Sequence, residues 1–278
     1  MQLKFRNIVL LLSAIATWPA LALGAEGVPV PWQLNFQPAA TPIMEKLDIL
    51  HTELLYLIIA ISVFVLVLLV WIALRYNRKA NPTPSKTSHN TLLEIVWTTI
   101  PILILVYIAM RSLPLHYEMA EIPEADMTIK VVGYQWYWHY EYPDHDGFGF
   151  DSYMLKEEEL GPNDPRLLAV DNKIVVPVDT TVRLQITAGD VIHAFAMPAF
   201  GVKVDAVPGR LNETWFNATK LGTFYGQCSE LCGVGHAFMP IAVEVVTKEE
   251  FALWVENAKE KFAHNGNRLP TTLATLSK

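Results

Sequence analysis

The chain has two cysteines, and both fall within one run of sequence, Tyr225 to Pro240. Cys228 and Cys232 are followed by His236 and Met239, which gives the spacing Cys-x3-Cys-x3-His-x2-Met. Thiolate, imidazole and thioether groups suit copper, whereas calcium, magnesium and manganese prefer oxygen ligands. The run therefore predicts a copper site that passes electrons.

Several other sites are compatible with this spacing alone. Two cysteines in an exported chain can form a disulfide, and cysteines with a histidine can contribute to a zinc site, although methionine is not among the zinc ligands. A single blue copper uses one cysteine, two histidines and a weak methionine, so here one cysteine is in excess. Two thiolates can instead bridge two copper ions, which requires a second histidine. His193, upstream in a strand-like stretch, is the best candidate.

The start of the chain has the pattern of an export signal. The chain has 278 residues, is 52% hydrophobic and carries a formal net charge of -7. Within residues 1–24 a short basic start is followed by an apolar core and then by small residues, which is typical of a secretory signal peptide. The alternative is a first membrane helix, but the apolar run is too short to cross roughly 30 Å of hydrocarbon.

Two longer apolar stretches, Leu54–Leu74 and Thr91–Met110, are long enough to be membrane helices. The loop between them has no acidic residue and four basic ones: Arg75, Arg78, Lys79 and Lys86. Because basic loops tend to remain in the cytoplasm, both ends of this hairpin should face the other side. That orientation agrees with an exported N-terminus.

After Arg111 the apolar runs shorten to the length of β-strands, rich in β-branched and aromatic residues and separated by Pro, Gly, Asp and Asn. The predicted strands are Met127–Tyr134, Trp136–Tyr142, Lys173–Val178, Thr181–Thr187, Val191–Met197, Gly222–Gln227 and Ile241–Val246. Helical periodicity in Glu249–Phe262 predicts a closing helix. We expect a membrane-anchored all-β protein: an N-terminal segment and hairpin over 25–115, a β-sandwich over 116–262, and a loose tail over 263–278.

Three features outside the cysteine run have both a structural and a functional interpretation. Trp136 lies in an aromatic run predicted to be a strand, with Trp136 and Trp138 on one face; it either packs in the core or is exposed for electron transfer. Glu94 lies in the second apolar stretch, where an ionisable group is costly; it either reaches the membrane surface or has a function. From Tyr117 to Asp171, thirteen acidic residues accompany three basic ones, which serves solubility or attracts a basic partner.

Four segments of the chain resemble subunit II of the cytochrome c oxidases, which are haem-copper respiratory oxidases. These segments are Gly133–Trp138 (Gly-Tyr-Gln-Trp-Tyr-Trp), Asp190–His193, Asp205–Arg210 (Asp-Ala-Val-Pro-Gly-Arg) and Tyr225–Cys232. They occur in the order of that family, together with the hairpin, and the resemblance covers roughly residues 33–262. One departure is Tyr134, where the family commonly has histidine.

The resemblance implies a cupredoxin-like sandwich that holds the binuclear copper centre called CuA. In that centre Cys228 and Cys232 would bridge the two ions, and His193 and His236 would each bind one of them. Two weaker ligands would complete the set: the Met239 thioether and the main-chain carbonyl of Glu230. The Glu230 side chain would reach a magnesium or manganese ion shared with subunit I, for which carboxylate oxygen is a suitable ligand.

The resemblance also assigns roles to residues away from the copper ligands. Trp136 would be the entry point for electrons, and Glu94 the entry point for proton uptake. Basic cytochrome c would dock on the acidic face, for which Glu141, Asp151 and Asp190 are candidates.

The function implied is that of a respiratory oxidase subunit. It would take electrons from reduced cytochrome c and pass them to haem in subunit I, where oxygen is reduced to water and protons are translocated. Subunits I and III would be its partners, with no nucleic acid. It would lie in the bacterial inner membrane with two helices and both terminal regions in the periplasm. The chain has no Cys-x-x-Cys-His sequence for covalent haem.

Two other classes of protein compete with this interpretation. A structural subunit without copper, as in related quinol oxidases, would lack the ligand set, and this chain has all five side chains. A membrane-anchored copper carrier would need neither the Gln-Trp-Tyr-Trp sequence nor a carboxylate in the membrane segment, and this chain has both.

Overall fold

The computed structural model describes residues 27–83 and 85–262 of the chain. Within these limits two long helices are followed by a β-rich domain and a third helix. The signal peptide predicted for residues 1–24 and the tail predicted for 263–278 lie outside the described residues.

The first two helices, α1 (Pro42–Arg75) and α2 (Thr91–Ala120), are long and apolar enough to cross a membrane. The most apolar part of each has no residue buried within the chain, as expected of a helix that is surrounded by lipid. The side chains of Thr41 and Asn90 cap their N-termini. The membrane-anchored part of the predicted fold is therefore confirmed.

Helix α1 begins well before the apolar stretch that starts at Leu54. Its first residues include Ile43 and Met44, which are buried. The Thr41 hydroxyl donates to the Phe200 carbonyl at 2.9 Å, so the β domain fixes the start of the helix. Apolar content alone locates the part of a helix that lies in lipid, whereas capping and packing extend the helix beyond it.

The two helices are also joined by charged side chains outside their most apolar parts. Arg111 of α2 donates two hydrogen bonds to the carboxylate of Glu53 in α1, at 2.9 and 2.7 Å. Lys46 pairs with Glu118 nearer the β domain. These pairs hold the hairpin together where the chain leaves the apolar span.

The β domain contains ten strands in the described residues. They are β1 (Met127–Tyr134), β2 (Tyr137–Tyr142), β3 (Phe148–Ser152), β4 (Ile174–Pro177), β5 (Thr181–Ala188), β6 (His193–Met197), β7 (Val202–Ala206), β8 (Asn212–Asn217), β9 (Gly222–Gln227) and β10 (Pro240–Val246). Seven correspond to the predicted strands. Strands β3, β7 and β8 were not predicted, because β7 and β8 carry charged or polar residues and β3 contains a glycine.

The strands form two main sheets with a shared core. One sheet has the order β3-β2-β1-β5-β8, the second has the order β4-β10-β9, and β6 pairs with β7. One continuous cluster contains Trp138 and Ile186 from the first sheet and Phe224 and Val243 from the second. The domain is therefore a β-sandwich, as predicted.

Helix α3 (Lys248–Phe262) closes one end of the sandwich, close to the predicted range. Its buried face consists of Phe251, Val255, Ala258 and Phe262, spaced as one face of a helix requires. The Phe262 ring stacks on Phe150 of β3.

Candidate metal centre

The two cysteines lie in a loop, residues 228–239, that connects two paired strands; we call it the cysteine loop. Strand β9 ends at Gln227 and β10 begins at Pro240, and these residues are partners in the antiparallel register. The Cys228 N–H donates to the Met239 carbonyl at 3.4 Å. Because the sheet fixes both ends of the loop, its side chains are held in defined positions.

The predicted second histidine meets the cysteine loop from another strand. His193 is the first residue of β6 and is completely buried. The Ser229 N–H donates to the Ala194 carbonyl at 3.0 Å, which joins β6 to the loop. Gly133 of β1 lies against the His193 ring: a Cβ atom there would come within 2.9 Å of it, so glycine leaves the room that the imidazole needs.

Each cysteine sulfur has a histidine nitrogen near it. The two Sγ atoms are 3.9 Å apart. Nδ1 of His193 is 3.9 Å from the Cys228 sulfur, and Nδ1 of His236 is 3.6 Å from the Cys232 sulfur. Ligand atoms of His193, Cys228 and Cys232 all lie within 4.8 Å of one another, and all three residues are buried.

Each sulfur also has one weaker donor near it. The Met239 sulfur is 3.5 Å from the Cys232 sulfur, and Met239 is 1% exposed. The Glu230 carbonyl oxygen is 3.4 Å from the Cys228 sulfur. The predicted ligands therefore come together as two matching sets, each with one sulfur, one imidazole and one weaker donor.

Asp190 orients the buried histidine. Its carboxylate accepts from Nε2 of His193 at 2.9 Å, which leaves Nδ1 facing the sulfurs. It also accepts the backbone N–H groups of Gln135 at 2.7 Å and Val191 at 2.6 Å. Burial disfavours the ionised carboxylate of Asp190, but the hydrogen bonds from His193 and from the two amides outweigh it and lower the pKa of Asp190 below its usual value. A carboxylate that holds the second nitrogen of a histidine is common around metal sites.

The two thiols differ in how easily they ionise. Burial opposes ionisation of Cys228, but hydrogen bonds from His193 and from backbone amides outweigh it and lower the pKa of this thiol. Burial and then the neighbouring Cys228 thiolate raise the pKa of Cys232. Burial disfavours the charged form of His193, but its bonds to Cys228 and Asp190 raise its pKa. The metal-free site thus favours one thiolate, and a bound cation would favour both.

The residues present fit copper better than they fit the alternatives. Both cysteines are free, and their sulfurs are 3.9 Å apart, far beyond the roughly 2.05 Å of a disulfide bond. A structural zinc site is closed by about four nitrogen or sulfur ligands of cysteine and histidine, whereas this site adds a buried methionine. Two thiols, two imidazoles and a thioether are the ligand types that suit copper.

The prediction that Trp136 lies in a strand was wrong. Strand β2 begins at Tyr137, and Trp136 belongs to the turn between β1 and β2. Because the chain bends there, the alternation of a strand does not continue through it. Trp138 is fully buried in the core, whereas Trp136 is partly buried and packs against the core cluster. Trp136 is half-buried over the cysteine loop, where a Cβ atom on Gly235 would clash with its ring. Its indole N–H donates to the Cys232 carbonyl at 3.2 Å.

Glu230 and Glu94 are both exposed. The main chain of Glu230 faces the Cys228 sulfur, while its side chain is on the surface of the loop. Glu94 lies in the first turn of α2, at the end away from the β domain. The structure therefore brings Glu230 to the metal centre and leaves Glu94 remote from it.

The three acidic residues predicted to dock a partner all have contacts inside the chain. Asp151 bonds Nδ1 of His139 at 2.7 Å, and Glu141 bonds Lys130 at 2.9 Å and lies 3.6 Å from Nε2 of His139. Burial disfavours protonated His139, but the bonds to the two acids raise its pKa to about 9. The bond from His139 is the largest contribution that lowers the pKa of Glu141 to about 2. The third acid, Asp190, holds His193.

Sequence reasoning missed three residues that support the site. Asp190 is among the predicted docking residues, although its position three residues before His193 is a usable signal for a supporting carboxylate. Gln135 donates through Nε2 to the Cys232 carbonyl at 2.7 Å. Trp138 donates from its indole to the Met239 carbonyl at 3.2 Å. Gln135 and Trp138 bind main-chain carbonyls, which every residue has, so the residue types in the sequence do not reveal these contacts.

The chain matches two family models. The model described as cytochrome c oxidase subunit II, periplasmic domain, matches residues 127–246. The model described as cytochrome c oxidase subunit II, transmembrane domain, matches residues 29–115. Together the two matches include α1, most of α2, the cysteine loop and all ten strands.

The chain is also similar to individual proteins along most of its length. It is 58% identical over 240 residues to a Rickettsia conorii protein named "Probable cytochrome c oxidase subunit 2", covering 86% of this chain and 76% of that protein. It is 45% identical over 269 residues to cytochrome c oxidase subunit 2 of Cereibacter sphaeroides, covering 90% and 88%. The solved periplasmic domain of subunit II of cytochrome oxidase from Bradyrhizobium japonicum is 63% identical and covers 51% of this chain and 99% of its own, with a TM-score of 0.49.

The fold and the donor set define a membrane-anchored β-sandwich protein with a metal centre of the copper type. With both family models matched and relatives at 45–59% identity, the chain belongs to the cytochrome c oxidase subunit II family. It is therefore a subunit of a cytochrome c oxidase.

Proposed function

We propose that this chain accepts single electrons from reduced cytochrome c at a binuclear copper centre and passes them to haem in subunit I. Bound copper would supply the chemistry by alternating between two oxidation states. The residues of the chain would hold the ions, limit their movement and connect them to the surface. Oxygen reduction and proton translocation would take place in partner subunits.

The observation that carries this proposal is the paired arrangement of donors around two sulfurs. Cys228 and Cys232 each have one imidazole nitrogen and one weaker donor of their own. A single ion would leave part of this set unused, whereas two ions bridged by both thiolates would use all of it. The burial of Cys228, Cys232, Met239 and His193 favours ligands that move little when an electron arrives.

Trp136 is the proposed entry point for electrons. Its indole is partly exposed and donates to the Cys232 carbonyl. It thus offers a direct covalent and hydrogen-bonded path from the surface to a ligand. Trp138 is fully buried in the core, whereas Trp136 packs against the core cluster and is only partly buried.

The acidic surface is proposed to attract cytochrome c. Glu141 and Asp151 are partly exposed while they hold His139, so they would contribute to the field around Trp136 as well as to the local fold. Asp190 is proposed as a third docking residue, but its three hydrogen bonds at the metal centre make it unsuitable for testing docking alone.

Two further residues are proposed to act at contacts with the rest of the oxidase. The exposed carboxylate of Glu230 would bind the magnesium or manganese ion shared with subunit I, since carboxylate oxygens suit these ions. Glu94, near the basic loop, would admit protons from the cytoplasmic side. The basic loop favours a bacterial inner-membrane location with the β domain in the periplasm, and subunit III is a further proposed partner.

A stopped-flow experiment on the copper-loaded full chain tests this proposal. Mixing it with reduced cytochrome c should oxidise the cytochrome while the copper absorbance bleaches in step. The Cys228→Ser variant should lose both signals, whereas Ser229→Ala, which changes the neighbouring hydroxyl but no proposed ligand, should keep them. Loaded copper that stays oxidised in the presence of reduced cytochrome c would rule the proposal out.

A further inference from the structure

The segment that precedes α1 leaves the β domain and returns to it. The Gly27 carbonyl accepts the Tyr225 N–H of β9 at 3.1 Å. At the other end, the Ala40 N–H donates to the Ala199 carbonyl at 2.8 Å, and the Ala40 carbonyl accepts the Thr219 N–H at 2.9 Å. Residues 28–39, which we call the N-terminal loop, are fixed at both ends and contain no charged side chain.

The N-terminal loop runs down along α1 as far as the apolar span. The Phe36 ring lies 4.6 Å from the ring of His51, centroid to centroid. A helix rises 1.5 Å per residue, so His51 is roughly 15 Å below Thr41 and about one turn above Leu54. Because the apolar stretch Leu54–Leu74 matches roughly 30 Å of hydrocarbon, His51 and Phe36 lie at the level of the lipid headgroups.

The tip of the loop is a built turn that presents two apolar side chains. The Gln33 N–H donates to the Val30 carbonyl at 3.2 Å, and the Val30 N–H donates to Oε1 of Gln33 at 3.1 Å. Nε2 of Gln33 donates to the Phe36 carbonyl at 2.7 Å. Within this turn Trp32 has a φ of 64°, a conformation that a residue with a side chain adopts only when its surroundings hold it.

Nothing in the described part of the chain covers these two side chains. Trp32 is 97% exposed and Leu34 is 96% exposed. Such exposure of two large apolar side chains is unfavourable in water, and tryptophan is enriched where membrane meets water. Phe36, two residues after Leu34, lies beside His51 just above the apolar span, so Trp32 and Leu34 belong to the part of the chain that approaches that boundary.

We infer that the N-terminal loop is a membrane-surface anchor, which inserts Trp32 and Leu34 between the headgroups and the upper acyl chains of the leaflet on the β-domain side. The neutral loop would bind through apolar contact, without a requirement for anionic lipid. With α1 and α2 it gives the chain a third contact with the bilayer. Such a contact would restrict rotation of α1 and so fix the height of the β domain above the membrane.

Photo-crosslinking in the assembled oxidase in its native membrane tests this inference. A photoreactive diazirine analogue of phenylalanine would replace Trp32, Leu34 or, as control, Leu253, which is 67% exposed on α3 of the β domain. Mass spectrometry would identify the crosslinked molecules. We expect phospholipid adducts at positions 32 and 34 at several times the yield at position 253. Adducts to another oxidase subunit, or lipid adducts no more abundant than at position 253, would overturn the anchor.

A second variant tests whether the turn itself is responsible. With the analogue at position 32, Gln33→Ala removes the side chain that holds the turn. This substitution leaves the residues at positions 32 and 34, which are proposed to face lipid, unchanged. The yield of lipid adducts should fall, while copper content and oxidase assembly remain as in the parent. An unchanged yield would show that the built turn does not position Trp32 at the lipid.

Discussion

Replacing Asp190 with alanine should weaken copper binding without unfolding the β domain. The carboxylate holds Nε2 of His193 at 2.9 Å, and so decides which nitrogen faces the sulfurs. Removing such a supporting group typically lowers metal affinity by roughly 10–100-fold, which corresponds to about 1.4–2.8 kcal/mol. Asp190→Asn, which keeps one acceptor oxygen, should lie between alanine and the parent.

The same change should cost some stability of the metal-free protein. Asp190 also accepts the N–H groups of Gln135 and Val191, and a bond to a charged group contributes about 1.5–3 kcal/mol. The Asp190 side chain is 31% exposed, so water can replace part of what is lost. We therefore expect a total loss of about 2 kcal/mol. This is less than the roughly 5–15 kcal/mol by which a folded domain is typically stable, so the variant should remain folded.

A chelator competition on the full chain in detergent measures the copper affinity, and thermal unfolding without copper measures the stability. Asp151→Ala is the matched control, because Asp151 also holds a histidine, His139, at 2.7 Å, but that histidine is not a proposed ligand. The reasoning fails if Asp190→Ala binds copper as tightly as the parent. It fails equally if Asp151→Ala weakens copper binding as much as Asp190→Ala does.

Three other predictions concern groups around the site. Trp136→Phe loses the bond to the Cys232 carbonyl, worth about 1 kcal/mol; it should keep copper but slow oxidation of reduced cytochrome c, and a parental rate would contradict its entry role. Glu94→Gln should leave the copper spectrum unchanged and lower turnover of the assembled oxidase; normal turnover at every pH would remove it from proton uptake. The pKa of His139 is raised from 6.5 to about 9, so its pairing stabilises the fold fully below pH 6.5 and is lost as pH rises through 9. His139→Gln should therefore be less stable than the parent below pH 6.5, by about 1–2 kcal/mol after solvent screening, and as stable as the parent above pH 9. The same loss of stability on both sides of this pH range would contradict the prediction.

The proposed metal ligands could be selected from sequence because most of them are close together in the chain. Cys228, Cys232, His236 and Met239 form one short run whose spacing is itself the signal. His193 is distant in sequence, and its selection relied on a strand-like context and on the family resemblance. Its approach to the cysteine loop depends on β6 lying beside that loop, which a single sequence does not reveal.

The supporting contacts could not be predicted in the same way. Asp190 looks like any surface acid until its distance to His193 is known, and Trp138 acts on a main-chain carbonyl. The error at Trp136 arose because the alternation of side chains along a strand does not show at which residue the strand begins or ends. The start of α1 at Pro42 was also not predicted. Its first turns pack on the β domain and are not uniformly apolar, so apolar content does not show where the helix begins.

Copper content and low-temperature EPR of the full chain test the central claim most directly. Two thiolates that bridge two ions should give two coppers per chain and one unpaired electron shared between them, seen as seven hyperfine lines. Cys228→Ser should abolish that pattern. A single copper with four lines in the parent chain, or two coppers with an unchanged spectrum in Cys228→Ser, would contradict a centre bridged by Cys228 and Cys232.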